Sequence, residues 1–172
     1  MHNTNLMKLA YLDIETTGLS PRHSELTVVG VALFEGLDLR VEQLWGPAIT
    51  SEALEALLAD VDHLFTYNGR RFDIPFIERS LRISLRHIPH RDLMYDCWRH
   101  DLKGGLKAVE RRIGISRALP DMNGYMAVQL WWDYVNHHNQ AALDRLLAYN
   151  REDVVNLHTL RQRLGVRHSN FE

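Results

Sequence analysis

Residues 11–18 read Tyr-Leu-Asp-Ile-Glu-Thr-Thr-Gly, and no other stretch constrains the chain as strongly. Leu9, Leu12 and Ile14 favour a strand, and Thr16-Thr17-Gly18 brings the turn chemistry that ends it. Side chains alternate across a strand, so Asp13 and Glu15 face the same way. Two neighbouring carboxylates repel, and the pair is tolerated when one holds a proton or a cation sits between them. A hard divalent cation with oxygen ligands meets the second condition. A polar strand end facing water is the plainer account of the same eight residues. The rest of the chain decides between the two.

Taken in order, residues 7–14 read as a first strand and 18–24, with Ser20-Pro21, as a loop. The Val- and Leu-rich segment 25–34 predicts a second strand, and 39–45 a third after the tight connection Gly36-Leu37-Asp38. Gly46-Pro47 breaks this meander. Thr50 or Ser51 then caps a helix with Leu54, Leu57 and Leu58 at helical spacing. Residues 61–67 predict a buried fourth strand, followed by an Asn68-Gly69 turn and a helix opened by Asp73 and Pro75. A fifth strand is expected over 88–95. Helices are expected over 106–113, 125–137 and 140–164, with a loop at 120–124 and a polar tail after Gly165. An antiparallel meander followed by alternating helices and strands is an α/β pattern with a mixed five-stranded sheet, three strands antiparallel and the rest parallel, flanked by helices.

At 172 residues one domain, 1–172, is expected. The single cysteine, Cys97, excludes an intrachain disulfide and fits a reducing compartment; it reads as a packed residue. The N-terminal apolar stretch is short and interrupted by Asp13, unlike a signal peptide, and no run reaches transmembrane length. A cytoplasmic protein without membrane contact is the expectation. The ten histidines lack zinc-ligand spacing and read as surface residues. The net charge of −2 does not announce a nucleic-acid partner, but its distribution is uneven. Residues 70–117 carry twelve Lys/Arg against six Asp/Glu, and the remainder eight against sixteen. Asp13, Glu15 and Asp153 fall in the acidic part, so an acidic site could sit beside a basic wall suited to a polyanion.

Two further acidic positions matter. Asp73 follows directly on the fourth strand, where ligands of open α/β sheets bind, and it is equally a natural helix cap. Tyr149 and Asp153 are four apart on the last helix and share a face, flanking the stripe of Leu143, Leu146, Leu147, Val154 and Leu157. Asp13, Glu15, Asp73 and Asp153, with Tyr149 one turn before the last, resemble the tyrosine-type DEDD exonuclease superfamily of the ribonuclease-H-like fold. Asn68-Gly-Arg-Arg-Phe72-Asp73, Leu102-Lys103-Gly-Gly-Leu106-Lys107-Ala-Val-Glu110 and Leu147-Ala-Tyr149-Asn150-Arg-Glu152-Asp153-Val154 are similar to the YprB-type domain. The likeness covers residues 8–164, and the three-residue gap between Asn68 and Phe72 suits that group.

The resemblance implies a 3′–5′ exonuclease acting on single-stranded DNA or RNA with two Mg²⁺ or Mn²⁺ ions. Asp13 would bridge the ions, Glu15 and Asp153 complete the first site, and Asp73 hold the second. Tyr149 would orient the attacking water. Thr16, Asn68, Phe72, Lys103 and Lys107 are the implied substrate contacts, with Arg70 and Arg71 as further phosphate candidates. Phe72 is expected to pack beneath the site. The alternative is a non-catalytic ribonuclease-H-like module that binds nucleic acid or protein. Internal cleavage would use the same carboxylates.

Overall fold

The computed structural model describes residues 6–167, so the last residues of the expected polar tail lie outside the described residues. Strands β1 (Lys8–Thr16), β2 (Leu26–Glu35) and β3 (Asp38–Trp45) form the expected antiparallel meander. Helix α1 (Ser51–Leu58) crosses to β4 (His63–Thr66), which pairs parallel with β1. Helix α2 (Asp73–Leu81) crosses to β5 (His90–Asp92), parallel to β4. The sheet order is β3-β2-β1-β4-β5, with β1 at the centre. Helices α3 (Leu93–Arg99), α4 (Leu106–Ile113), α5 (Gly124–His137) and α6 (Gln140–Arg163) complete the chain. None of the helices among the described residues is long and apolar enough to cross a membrane.

The period-two pattern of β1 divides the core. Ala10, Leu12 and Ile14 pack with Leu54, Leu58, Phe76 and Ile77 of α1 and α2. Leu9 and Tyr11 pack on the opposite face with Leu93, Val109, Val154, Leu157 and Leu160 of α3, α4 and α6. Asp13 and Glu15 continue this second row, so they point toward α6. A third cluster joins α5 to α6 through Trp131, Leu143 and Leu146.

Three expectations need correction. Residues 88–95 are not one strand: β5 stops at Asp92 and α3 starts at Leu93. The Asp92 carboxylate accepts the Met94 N–H at 3.1 Å, which caps the new helix. Asp73 is the first helical residue rather than the cap; Phe72 is the cap and makes no side-chain capping bond. Tyr149 and Asp153, on the flank of the α6 stripe, are both buried. The histidines are not uniformly superficial. His158 stacks on Phe34 with centroids 3.6 Å apart and hydrogen-bonds the Tyr11 hydroxyl at 3.0 Å, while His90 bonds Thr66 at 2.9 Å. Burial holds the His158 ring down to about pH 4, so it packs as a neutral group. Thr50 is the α1 cap, accepting from the Ala53 N–H, and Cys97 is buried as expected.

Candidate active site

The site forms where β1 outruns its parallel neighbour. Pairing with β4 is registered from Leu9 to Tyr11, and β1 then continues alone on that side to Thr16. An unpaired backbone N–H there is costly unless a partner is found. Asp73, entering from the start of α2, accepts the Ile14 N–H at 3.1 Å. This bond explains why Asp73 does not cap its own helix. It also draws a third carboxylate toward Asp13 and Glu15.

The fourth carboxylate arrives on α6. Oxygens of Asp13, Glu15 and Asp153 lie within 4.8 Å of one another, a spacing that one cation can bridge. Asp73 stands beside this trio, with one oxygen committed to Ile14. Asp13 is held by Asn150, whose amide donates to its main-chain oxygen and to Oδ2, each at 3.2 Å. Gln43 in turn donates to Asn150 Oδ1 at 2.9 Å and to the Leu147 carbonyl at 2.8 Å. Asp13, Gly30 and Gln43 are in register across β1, β2 and β3. Asn150 lies over that row because Gly30 has no side chain: a Cβ there would stand 2.0 Å from Asn150 Oδ1.

Electrostatics set the resting state. Burial, then Asp153, Asp73 and Glu15, raise the Asp13 carboxyl well above the ordinary range; burial, then Asp153 and Asp73, do the same to Glu15. Burial lifts Asp73 to about 7 and Asp153 to about 6, the latter opposed by Arg117. The folded chain therefore keeps protons that the unfolded chain releases near pH 4. The stabilising contribution of these protons is full below that pH and is lost as pH rises through about 7. The metal-free protein should accordingly melt at a lower temperature at pH 7.5 than at pH 5, other titrations aside. In the Asp73→Asn variant this downward slope should flatten; an unchanged slope would refute the assignment.

A basic wall meets the acidic one, as the charge distribution suggested. Arg117, in the loop after α4, is buried and pairs with Asp153, with Glu110 at 2.8 Å and with Glu152 at 3.4 Å. Glu110 is fully buried on α4 and also accepts from Asn156 at 3.1 Å. The Tyr149 ring lies between two cations, Lys107 at 4.7 Å and Arg117 at 5.6 Å from its centroid. The Lys107 ammonium is buried, and among the described residues it has no hydrogen-bond partner. Burial and Arg117 pull its pKa down, against Asp153, Glu110 and Glu15. Burial, reinforced by Asp153 and Glu15, pushes the Tyr149 phenol upward, so it stays protonated.

The other expected positions divide. Thr16 ends β1 and donates to the Gly18 carbonyl at 2.7 Å. Asn68 adopts a left-handed conformation (φ 62°), and its N–H is held by Asp92 at 2.8 Å. Phe72 packs on the core against Phe76, ring centroids 5.6 Å apart, which fits a supporting role. Lys103 is exposed and pairs at 3.7 Å with Asp101, outside the cluster. Arg117, Gln43 and the roles of Glu110 and Asn150 were not read from the sequence. Glu110 and Asn150 stand inside the quoted motifs, so their presence was visible and their partners were not.

A model of the RNase_H superfamily matches residues 10–165. This chain belongs to the RNase_H superfamily. Protein YprB of Bacillus subtilis is 30% identical over 172 residues, which is 91% of this chain and 41% of YprB. This RNase_H-superfamily chain thus spans less than half the length of that relative. Its similarity agrees with the YprB-type motifs quoted above. Among solved structures, NrnC of Brucella melitensis bound to pGG superposes with a TM-score of 0.65 at 20% identity, covering 96% of this chain and 75% of NrnC. The family B DNA polymerase of Pyrobaculum calidifontis superposes with a TM-score of 0.69 at 16% identity, covering 92% of this chain and 24% of the polymerase. These two likenesses are of fold: the mixed five-stranded sheet with flanking helices is that of RNase H-like nucleases.

Proposed function

We propose that the chain is a metal-dependent nuclease that hydrolyses phosphodiester bonds in single-stranded DNA or RNA, working from the 3′ end. The observation that carries this reading is the convergence of the Asp13, Glu15 and Asp153 oxygens in a buried corner. Buried carboxylates this close repel, and an all-oxygen donor set suits Mg²⁺ or Mn²⁺. Asp13, Glu15 and Asp153 would hold one ion, and Asp13 with Asp73 a second. Such ions supply an acidified water and neutralise charge on the phosphate. NrnC binds pGG, which supports a nucleic-acid strand as the substrate class here.

The chain's own groups have separate tasks in this proposal. Tyr149, kept protonated, orients a water by its hydroxyl rather than removing a proton. The Lys107 ammonium, which has no hydrogen-bond partner among the described residues, meets a non-bridging phosphate oxygen. Asn150 fixes the rotamer of Asp13. Arg117 fixes Asp153 and compensates its charge.

The test uses end-labelled single-stranded DNA and RNA oligonucleotides with Mn²⁺, wild type beside Glu15→Gln. Products shortened stepwise from the 3′ end are expected with wild type and not with the variant. Millimolar Mn²⁺ should also raise the melting temperature, because it binds only the folded cluster. Neither cleavage nor a melting shift would overturn the reading and favour a binding module. Internal fragments without a ladder would retain the nuclease and reject the end specificity.

A further inference from the structure

A groove outside the carboxylate cluster has no part in the chemistry above. It has a volume of about 1150 Å³ and follows the outer edge of β5, between α2 and α3. Its upper end is the turn at 68–71, which Asp92 ties down by accepting the Asn68 and Arg70 N–H groups at 2.8 and 3.1 Å. That turn leads directly into Asp73, so groove and cluster share one wall.

The groove contains three carboxylates, and each is engaged within the protein. Glu78 accepts the Leu85 N–H at 2.9 Å. Asp92 serves three backbone N–H groups. Asp96 receives two guanidinium groups, Arg91 at 2.7 Å and Arg99 at 3.2 Å. Apart from Pro75 and Pro89, the exposed residues of its lining are cationic or aromatic. Arg70, Arg86 and Arg99 are exposed, and among the described residues neither Arg70 nor Arg86 has an ion-pair partner. Trp98 is 40% exposed, set edge-to-face on Tyr95 at 5.2 Å, with the Arg71 guanidinium 5.9 Å from its ring.

Arginines interleaved with an exposed indole suit a strand whose phosphates and base faces are both accessible. A duplex hides its base faces. A peptide strand would gain few bonds, since β5 offers only His90–Asp92 for pairing. We propose that this groove binds the portion of a single-stranded nucleic acid lying beyond the nucleotides at the carboxylates. Phosphates lie along Arg70, Arg86 and Arg99, and a base stacks on Trp98. The proposal rests on the nuclease reading and adds a site that makes affinity depend on strand length.

The test compares a 20-nucleotide single strand, the same sequence as a duplex, and a trinucleotide. Fluorescence anisotropy is measured in the Asp13→Asn background and hydrolysis in the otherwise wild-type chain. Trp98→Ala and Arg86→Glu are each expected to weaken binding of the 20-mer about tenfold at low salt, while trinucleotide hydrolysis is unchanged. Arg86 is exposed, so its variant carries the test should Trp98→Ala lower the melting temperature. Unaltered 20-mer affinity in both variants, with wild-type hydrolysis intact, overturns the groove and spares the nuclease. Equal losses for the 20-mer and the trinucleotide overturn it as a separate subsite, and equal affinity for the duplex overturns the single-strand assignment. Absence of both binding and hydrolysis in the wild type removes the nuclease reading itself.

Discussion

Asp13→Asn should cut hydrolysis steeply and, in metal-free buffer, raise the melting temperature. The two effects have one cause with opposite consequences. Asp13 is buried among Asp153, Asp73 and Glu15, which all push its carboxyl upward. An amide of the same shape removes that repulsion and can still accept from Asn150 through its own oxygen. Relief of about 1 kcal/mol would move the transition by roughly 2–4 °C in a chain of this size. On the proposed nuclease reading, the same change removes a ligand of the divalent ion. Turnover should fall on the order of 10³-fold, the scale seen when one electrostatic stabiliser is deleted. The rise in melting temperature on adding Mn²⁺ should shrink with it. Differential scanning fluorimetry in EDTA and in Mn²⁺, beside a turnover assay, separates the outcomes. A lower melting temperature in EDTA would make Asp13 a structural carboxylate.

Gly30→Ala should lower both the stability of the chain and its affinity for a divalent ion. The added carbon would fall 2.0 Å from Asn150 Oδ1 and 2.9 Å from its Cγ. Asn150 is fully buried and gripped by Gln43 on one side and Asp13 on the other, so it has nowhere to swing. Either α6 lifts from β2 or the Asn150 amide leaves Asp13. Overpacking of this kind costs about 1–3 kcal/mol. Loosening the group that orients a ligand lowers metal affinity about 10–100-fold. Asn150→Ala should show the same loss of Mn²⁺ affinity without the clash. In the double variant Gly30→Ala/Asn150→Ala the metal effects should not add, and part of the stability should return. Additive losses would place the collision elsewhere.

The parts of this molecule legible in its sequence are those fixed by local periodicity. Alternation along Leu9–Ile14 put Asp13 and Glu15 on one face, and they lie there. The four-residue step from Tyr149 to Asp153 put both on one side of α6. The meander and the parallel crossovers followed from strand and helix patterns that need no distant partner. What failed depended on tertiary geometry. Asp73 reads as a cap because every Asp before a helix does; only the shortness of β4 leaves the Ile14 N–H for it to satisfy. A three-residue β5 running straight into α3 has no period to detect. Arg117 is a loop residue among many arginines, and its ion pairs with Glu110 and Asp153 join positions that only the fold brings together.

The same convergence fixes the order in which the site is assembled during synthesis. The trio that gathers within 4.8 Å is drawn from residue 13, residue 15 and residue 153. The central strand carries the first two, but α6 supplies the third and also part of the cover over that face of the sheet. Contacts this remote in the chain form late, after the loops between them have closed. A nascent chain still lacking α6 has Asp13, Glu15 and Asp73 under an incomplete cover, with no Asp153 to close the trio. On the proposed nuclease reading, the site is complete only once α6 has emerged and docked.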